Sequence, residues 1–259
     1  AWASDPRYIE DSSSNLNGRT NFSIKSDMGL YGRGRTWDAG LMADYWQLGD
    51  YTRTERDLAF HRLPRAFLNW EDGFGRWFVA GASAEAVRFA HADDQARPGG
   101  SRFDFKPWVS MPLGGAAWFL TPTLAWRYTA YDLDDRLARQ LNPGAPDDTP
   151  SRSLPIGTVD AGLYFDRSTL FRGAPHLHTL EPRLFYVNTP YRDQSQLPLF
   201  DTQNMSYSWS QLFRDNRFTG ADRQADANQL TLALTSRLVN SSTGREKLSA
   251  SIGQIRYFE

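Results

Sequence analysis

His176 and His178 stand one residue apart, close enough on an extended chain to present two imidazoles as metal ligands. A zinc site needs three or four donors, and no third ligand sits nearby in the sequence. Two acidic runs, "DLDD" at 132–135 and "PDD" at 146–148, could offer carboxylates to a divalent cation, although acidic loops are ordinarily just solvated. "GLYGRGRT" lacks the Lys-Ser/Thr pair of a phosphate loop and reads as a tight turn. No G-x-S-x-G stretch occurs, and without cysteine there is no thiol chemistry in this sequence. A hydrolase could bring a serine and His61 or His91 together from neighbouring strands, but the spacing singles out no pair. No catalytic, cofactor or metal-binding set is therefore assigned, and the expectation is a protein that is not an enzyme.

The elements behind these residues carry more information. The chain has 259 residues, a formal net charge of −1 and a mean hydropathy of −0.57, yet 14% of it is aromatic. A balanced charge argues against a nucleic-acid binder. No run is long and apolar enough for a transmembrane helix; the driest window, "MPLGGAAWFLTPTLAWRY", is broken by Pro112, Gly114, Gly115, Pro122 and Arg127. The first fourteen or so residues show no basic start followed by an apolar stretch, so the reading is a cytosolic chain or an internal piece of a longer precursor.

Period-two alternation recurs throughout and predicts about ten strands. They fall at residues 22–31, 37–48, 64–71, 76–91, 102–111, 118–131, 157–166, 177–188, 229–239 and 247–258, the last with a bulge near Gly253 where the alternation slips. In 118–131, Trp118, Leu120, Leu124, Trp126 and Tyr128 oppose Thr121, Thr123, Arg127 and Thr129. In 229–239, Leu230, Leu232, Leu234 and Leu238 oppose Gln229, Thr231, Thr235 and Arg237. In 76–91, Glu85 and Arg88 fall on opposite faces, which leaves the register ambiguous.

Short connections at 32–35, 72–75, 112–116, 167–176 and 240–246 alternate with long ones at 49–63, 92–101, 132–156 and 189–228. An up-and-down meander with that parity has one tight end and one elaborate end, as outer-membrane barrels do. A soluble antiparallel domain explains the alternation equally well. Three features favour the barrel: strands long enough for the roughly 9–11 residues a tilted crossing needs, aromatics at strand ends (Trp37, Tyr45, Trp46, Trp70, Trp77, Trp118, Trp126, Tyr128, Tyr131), and full charges at mid-strand.

The fold class expected is all-β, an antiparallel up-and-down transmembrane barrel segment of a larger barrel. Leu230, Leu232, Leu234, Trp118, Leu120, Leu124 and Trp126 then face lipid. Arg183 at mid-depth in lipid would cost about 2–4 kcal/mol, so it and Glu181 face inward. Antiparallel pairing predicts a lumenal ladder of alternating charge, Asp160, Arg183, Glu181 and Arg237, each pair contributing about 0–1 kcal/mol in a wet lumen. Residues 189–228 are too long and too polar for a simple hairpin; they are expected to fold over or into the lumen, with a helical turn near 210–214.

Three stretches carry a resemblance: "HTLEPRLFYVNTPYRDQSQLPLFDT" at 178–202, "SWSQLFRDNRFTGADRQADANQLTLALTSRL" at 208–238 and "GREKLSASIGQIRYF" at 244–258. Their ordered pattern resembles the LptD-type lipopolysaccharide-assembly outer-membrane proteins, and "SDPRYIED" at 4–11 resembles the segment near the start of that family's barrel. The resemblance implies a bacterial outer-membrane translocon that receives lipopolysaccharide from a periplasmic bridge protein, holds a plug lipoprotein in its lumen and delivers to the outer leaflet. It also implies that residues 1–259 are a partial barrel domain, without the family's amino-terminal periplasmic domain, its late strands and the cysteines that join them. The lateral opening would be touched at most by residues before Ile9. Tyr191, Arg192, Asp193, Arg214, Asp215, Asp222 and Arg223, with Arg217, are then expected to contact the wall or the plug. Alternatives from other classes are an outer-membrane lipid hydrolase and a soluble carbohydrate-binding sandwich.

Overall fold

The computed structural model describes residues 22–50 and 52–258. The expectations for the stretch 4–11 and for the lateral opening lie outside the described residues. One antiparallel sheet of twelve strands contains every named strand. In chain order these are β1 (Ser23–Arg33), β2 (Trp37–Leu48), β3 (His61–Phe74), β4 (Phe78–Ala90), β5 (Gly100–Ser110), β6 (Leu113–Gly115), β7 (Trp118–Leu133), β8 (Ser151–Leu163), β9 (Phe165–Phe171), β10 (Ala174–Thr189), β11 (Ala227–Asn240) and β12 (Glu246–Tyr257). The sheet runs β1-β2-β3-β4-β5-β7-β8-β10-β11-β12; β6 and β9 are short hairpin partners of β7 and β10. It does not close on itself: among the described residues, β1 and β12 pair on one side only.

The tight turns all lie at one end and the long connections at the other. At the elaborate end, a short helix, α1 (Asp135–Leu141), sits between β7 and β8. The predicted elements needed several corrections. The connection expected at 167–176 is a hairpin, β9 against β10, whose turn uses positive φ at Arg172 and Gly173. The loop expected at 132–156 is shorter, because β7 continues to Leu133 and β8 begins at Ser151. The pairing of β11 with β12 shifts between Leu238 and Val239, not at Gly253, which faces Ala233 in unbroken register.

The two faces of the sheet differ in kind. The outer face exposes Met28 at 78%, Leu124 at 69% and Leu232 at 55%, with Leu30, Leu41, Leu68, Phe103, Phe105, Val109, Leu248 and Ile252 beside them. So much contiguous apolar surface is not left to water in a monomeric soluble protein. Trp37, Phe74, Trp77, Phe78, Trp118 and Phe165 rim it at the turn end, and Tyr45, Trp126 and Tyr128 rim it toward the loop end. From Trp118 to Tyr128 the strand is about 33 Å long at ~3.3 Å per residue. At a tilt of roughly 45° that spans about 23 Å, close to the apolar band of an outer-membrane barrel. Two aromatics expected in the rims belong inside: Tyr131 is buried on the inner face, and Trp46 shares the parity of inward-facing Asp44. The ambiguity in 76–91 is resolved with Glu85 inward, against Arg65 and Arg102, and Arg88 on the other face, against Asp134.

Candidate functional site

The concave face is where the charges and the long segment 190–226 meet. Inward parity on β4, β5, β7 and β8 sets Glu85, Arg102, Asp104, Arg127, Thr129 and Arg152 side by side. Segment 190–226 folds down onto them. Arg102, whose side chain is 1% exposed, pairs with Glu85, Asp201 and Asp222, each at 2.6 Å. Asp222 is fully buried; it accepts the amides of Phe200 at 2.7 Å and Asp201 at 3.1 Å and the Tyr131 hydroxyl at 3.1 Å. One carboxylate thus ties two stretches of the segment to two strands of the wall.

A second tie lies beside it. Arg127 holds Asp104 and donates to Gln224 Oε1 at 3.1 Å, and Thr129 donates to Asp104 at 2.6 Å. Arg152 donates to Gln194 Oε1 at 2.6 Å and to the Ala221 and Asp222 carbonyls. Gln194 and Gln224 bridge each other, Oε1 of Gln194 accepting the Gln224 amide and its Nε2 donating to the Gln224 carbonyl. Lys106 reaches Asp215. Arg223 donates to the carbonyls of Leu197 and Pro198, and burial there pulls its guanidinium below the usual arginine range. Toward the loop end, Leu197 and Phe200 complete an apolar cluster with Phe60, Val87, Phe89, Tyr131 and Leu133.

The ladder residues lie toward the turn end. Arg183 and Asp160 are 2.6 Å apart, and Arg237 lies 3.5 Å from Glu181 and 3.8 Å from Glu246. All four stand partly in solvent and line one cavity of about 380 Å³ with Trp209 and Phe213. These aromatics belong to a 3-10 turn, Trp209–Phe213, where a helical turn was expected; Phe213 lies 3.9 Å under the Arg183 guanidinium. Gly253 opposite has no side chain because Leu212 and Trp209 occupy the space a Cβ would enter. That is why the alternation slips there.

Of the segment residues singled out from the sequence, Asp215 and Asp222 bind the wall, and Arg223 binds the segment's own backbone. Tyr191, Arg192 and Asp193 are exposed, and Arg214 rests on the Met205 sulfur at 3.4 Å. Sequence reasoning missed Asp201, Gln194 and Gln224 in the segment, and Arg102, Arg127 and Arg152 as their partners. The available signal was inward parity of charged strand residues; nothing in the segment's own pattern marks its half of each pair.

The histidines do not assemble a reaction centre. His176 Nδ1 faces the Ala174 carbonyl and His178 Nε2 the Ser236 hydroxyl. His61 accepts the Trp46 amide, and His91 lies between the Leu58 carbonyl and the Asp93 amide. Among the described residues, no cluster of three His, Asp or Glu side chains has metal-binding geometry.

Comparison with known proteins gives the same direction. The family described as LptD, LPS transport system D, matches residues 1–259. The LPS-assembly protein LptD of Xanthomonas oryzae pv. oryzae (strain MAFF 311018) is 55% identical over 289 residues, covering 100% of this chain and 35% of that protein. That of Xanthomonas campestris pv. campestris (strain 8004) is 54% identical over 285 residues, with the same coverage. That of Xylella fastidiosa (strain Temecula1) is 50% identical over 277 residues, again covering 100% of this chain and 35% of the relative. The chain thus spans about a third of the length of these relatives.

Proposed function

This chain belongs to the LptD family, and from that premise we propose that it forms part of the wall of a bacterial outer-membrane apparatus that assembles lipopolysaccharide into the outer leaflet. The family is one of assembly proteins, not enzymes. The observation that carries the reading is the inverted distribution of side chains: leucines and aromatics on the convex face, and buried ion pairs on the concave one. A wall of that kind separates hydrocarbon from a polar passage. Residues 1–259 act as a partial barrel domain, and segment 190–226 narrows the passage from the loop end.

The ladder residues Asp160, Glu181, Arg183 and Arg237 keep the register of the wall and give it a charged lining where a saccharide or phosphate can pass without meeting an apolar surface. The exposed edge of the segment, Tyr191, Arg192, Asp193 and Arg214, faces a plug lipoprotein, while lipopolysaccharide arrives from a periplasmic bridge protein. Leu230, Leu232, Leu234, Trp118, Leu120, Leu124 and Trp126 contact membrane lipids.

The test uses a strain whose sole full-length protein carries Arg102→Met together with Asp222→Asn. At equal protein level in the outer membrane, delivery of newly made lipopolysaccharide to the cell surface should fall. Normal delivery, with segment 190–226 shown by proteolysis to be released, would overturn the proposed role of the segment. For the lipoprotein contact, Arg192→Ala or Arg214→Ala should lower the amount of plug lipoprotein that co-purifies; an unchanged amount would count against that contact.

A further inference from the structure

Among the described residues, the outer wall carries a depression larger than the shallow one over Ala66, Ala86 and Ala130. Two cross-strand rows define it. Val109, Leu124, Gly157 and Asn188 are successive partners across β5, β7, β8 and β10. In the next row Trp126 pairs with Pro155, and Pro107 lies on the same outward face of β5. The bulky row thus falls away at Gly157, and flat proline rings stand where long side chains would otherwise project. The result is a groove of about 620 Å³, within the roughly 300–1,000 Å³ range of small-molecule sites.

The groove is open, and its lining is mostly apolar. A Cβ at Gly157 would meet only Leu124 Cδ2 at 3.8 Å and the Asn188 carbonyl at 4.0 Å, so the space is not filled by the protein. Trp126 forms one side, with its indole N–H satisfied by Ser153 Oγ at 2.9 Å, so that this side needs no water. Exposed Asn188 supplies a polar group at the β10 side. Along β7, Leu124 lies nearer to the loop-end Tyr128 than to Trp118, which places the groove in the leaflet on the loop side. In outer-membrane barrels long loops are extracellular, so that leaflet is the outer one.

We propose that this groove, floored by Gly157, Pro155 and Pro107 and walled by Leu124 and Trp126, seats one saturated acyl chain of an outer-leaflet lipopolysaccharide molecule, with Asn188 toward the polar linkage of the chain. The proposal rests on the lipopolysaccharide-assembly reading above and extends it: the wall holds a delivered glycolipid at a defined place rather than sliding freely past it. Elsewhere on the convex face Leu30, Leu41, Leu68, Phe105 and Leu232 project toward the lipid; here one chain sinks between the walls.

The test places a photoreactive phenylalanine analogue at position 188 of the full-length protein, and separately at position 105, on the same face and the same leaflet but outside the groove. Irradiation follows purification in mild detergent, when loosely associated lipid has been removed. A lipopolysaccharide adduct that survives purification is expected at 188 and not at 105, and Gly157→Leu, which fills the groove without backbone strain, should abolish it. Equal adducts at both positions, a phospholipid adduct at 188, or an adduct indifferent to Gly157→Leu would overturn the proposal. The surface-delivery assay distinguishes the failures. A probe-bearing protein that delivers lipopolysaccharide but yields no adduct refutes the groove alone; a protein with no part in delivery refutes the functional reading as well.

Discussion

At the scale of single residues, two side chains show how differently the faces treat the same charge. Arg102 is stable at 1% exposure because three carboxylates surround it. Replacing it with methionine leaves fully buried Asp222 without its cation, and breaking a buried pair costs about 3–5 kcal/mol. Arg102→Met should therefore lower the urea midpoint of the full-length protein in micelles and expose segment 190–226 to protease; an unchanged midpoint would mean that the network contributes nothing. On the other face, Leu232→Arg puts a guanidinium against hydrocarbon at about 2–4 kcal/mol, whereas Thr235→Arg, inward on the same strand, should cost far less. Matched unfolding curves for the two variants measure the difference. In the sequence Arg102, Asp104 and Lys106 alternate with Phe103 and Phe105, which makes their shared face legible. Their importance was not, because Asp201 and Asp222 lie 99 and 120 positions away from Arg102 in a segment with no periodicity to read.

At the scale of elements, the long strands were legible and their exceptions were not. β2 was predicted with its observed bounds because its apolar and polar positions alternate to the end. β9 was taken for a loop because "DRSTLFR" places polar residues on both faces, as a strand beyond the apolar band is free to do. Gly253 was read as a bulge, yet the ladder passes it unbroken; the glycine is there to admit the turn Trp209–Phe213. Gly253→Leu should push that turn off β12, so hydrogen exchange at 209–213 should quicken while the strand amides of β11 stay protected. Gly253→Ala meets chiefly the flexible tip of Leu212 and should show a smaller change. Equal protection in all three proteins would dissociate the glycine from the turn. Thr231 fixes the same turn from β11, donating to the Leu212 carbonyl at 2.8 Å.

At the scale of the whole molecule, the strict alternation of short and long connections was enough to orient the sheet, since only a meander with one plain and one elaborate end keeps that parity. What sequence could not supply was the dryness of the concave side. Water or a plug was expected against the inward charges; solvent does reach Arg183 and Arg237, but segment 190–226 seals the region around Arg102 and Asp222 into something nearer a protein core. The curved sheet is therefore lined on one side by folded polypeptide and on the other by whatever solvates leucine. Among the described residues no strand lies on the side of β12 away from β11, and such an edge invites further pairing. This is the expected state of a wall that is one part of a longer barrel.

The central claim is that hydrocarbon lies against the convex face and the polar passage against the concave one. Spin labels placed singly at the neighbouring positions 234 and 235 of the full-length protein in lipid bilayers test it most directly. The label at 234 should be relaxed by oxygen and shielded from a water-soluble nickel complex, and the label at 235, beside the cavity of Arg183 and Arg237, should show the reverse preference. Nickel access at 234 with oxygen preference at 235 would contradict the account, because the leucines would then face water and the charges would face lipid.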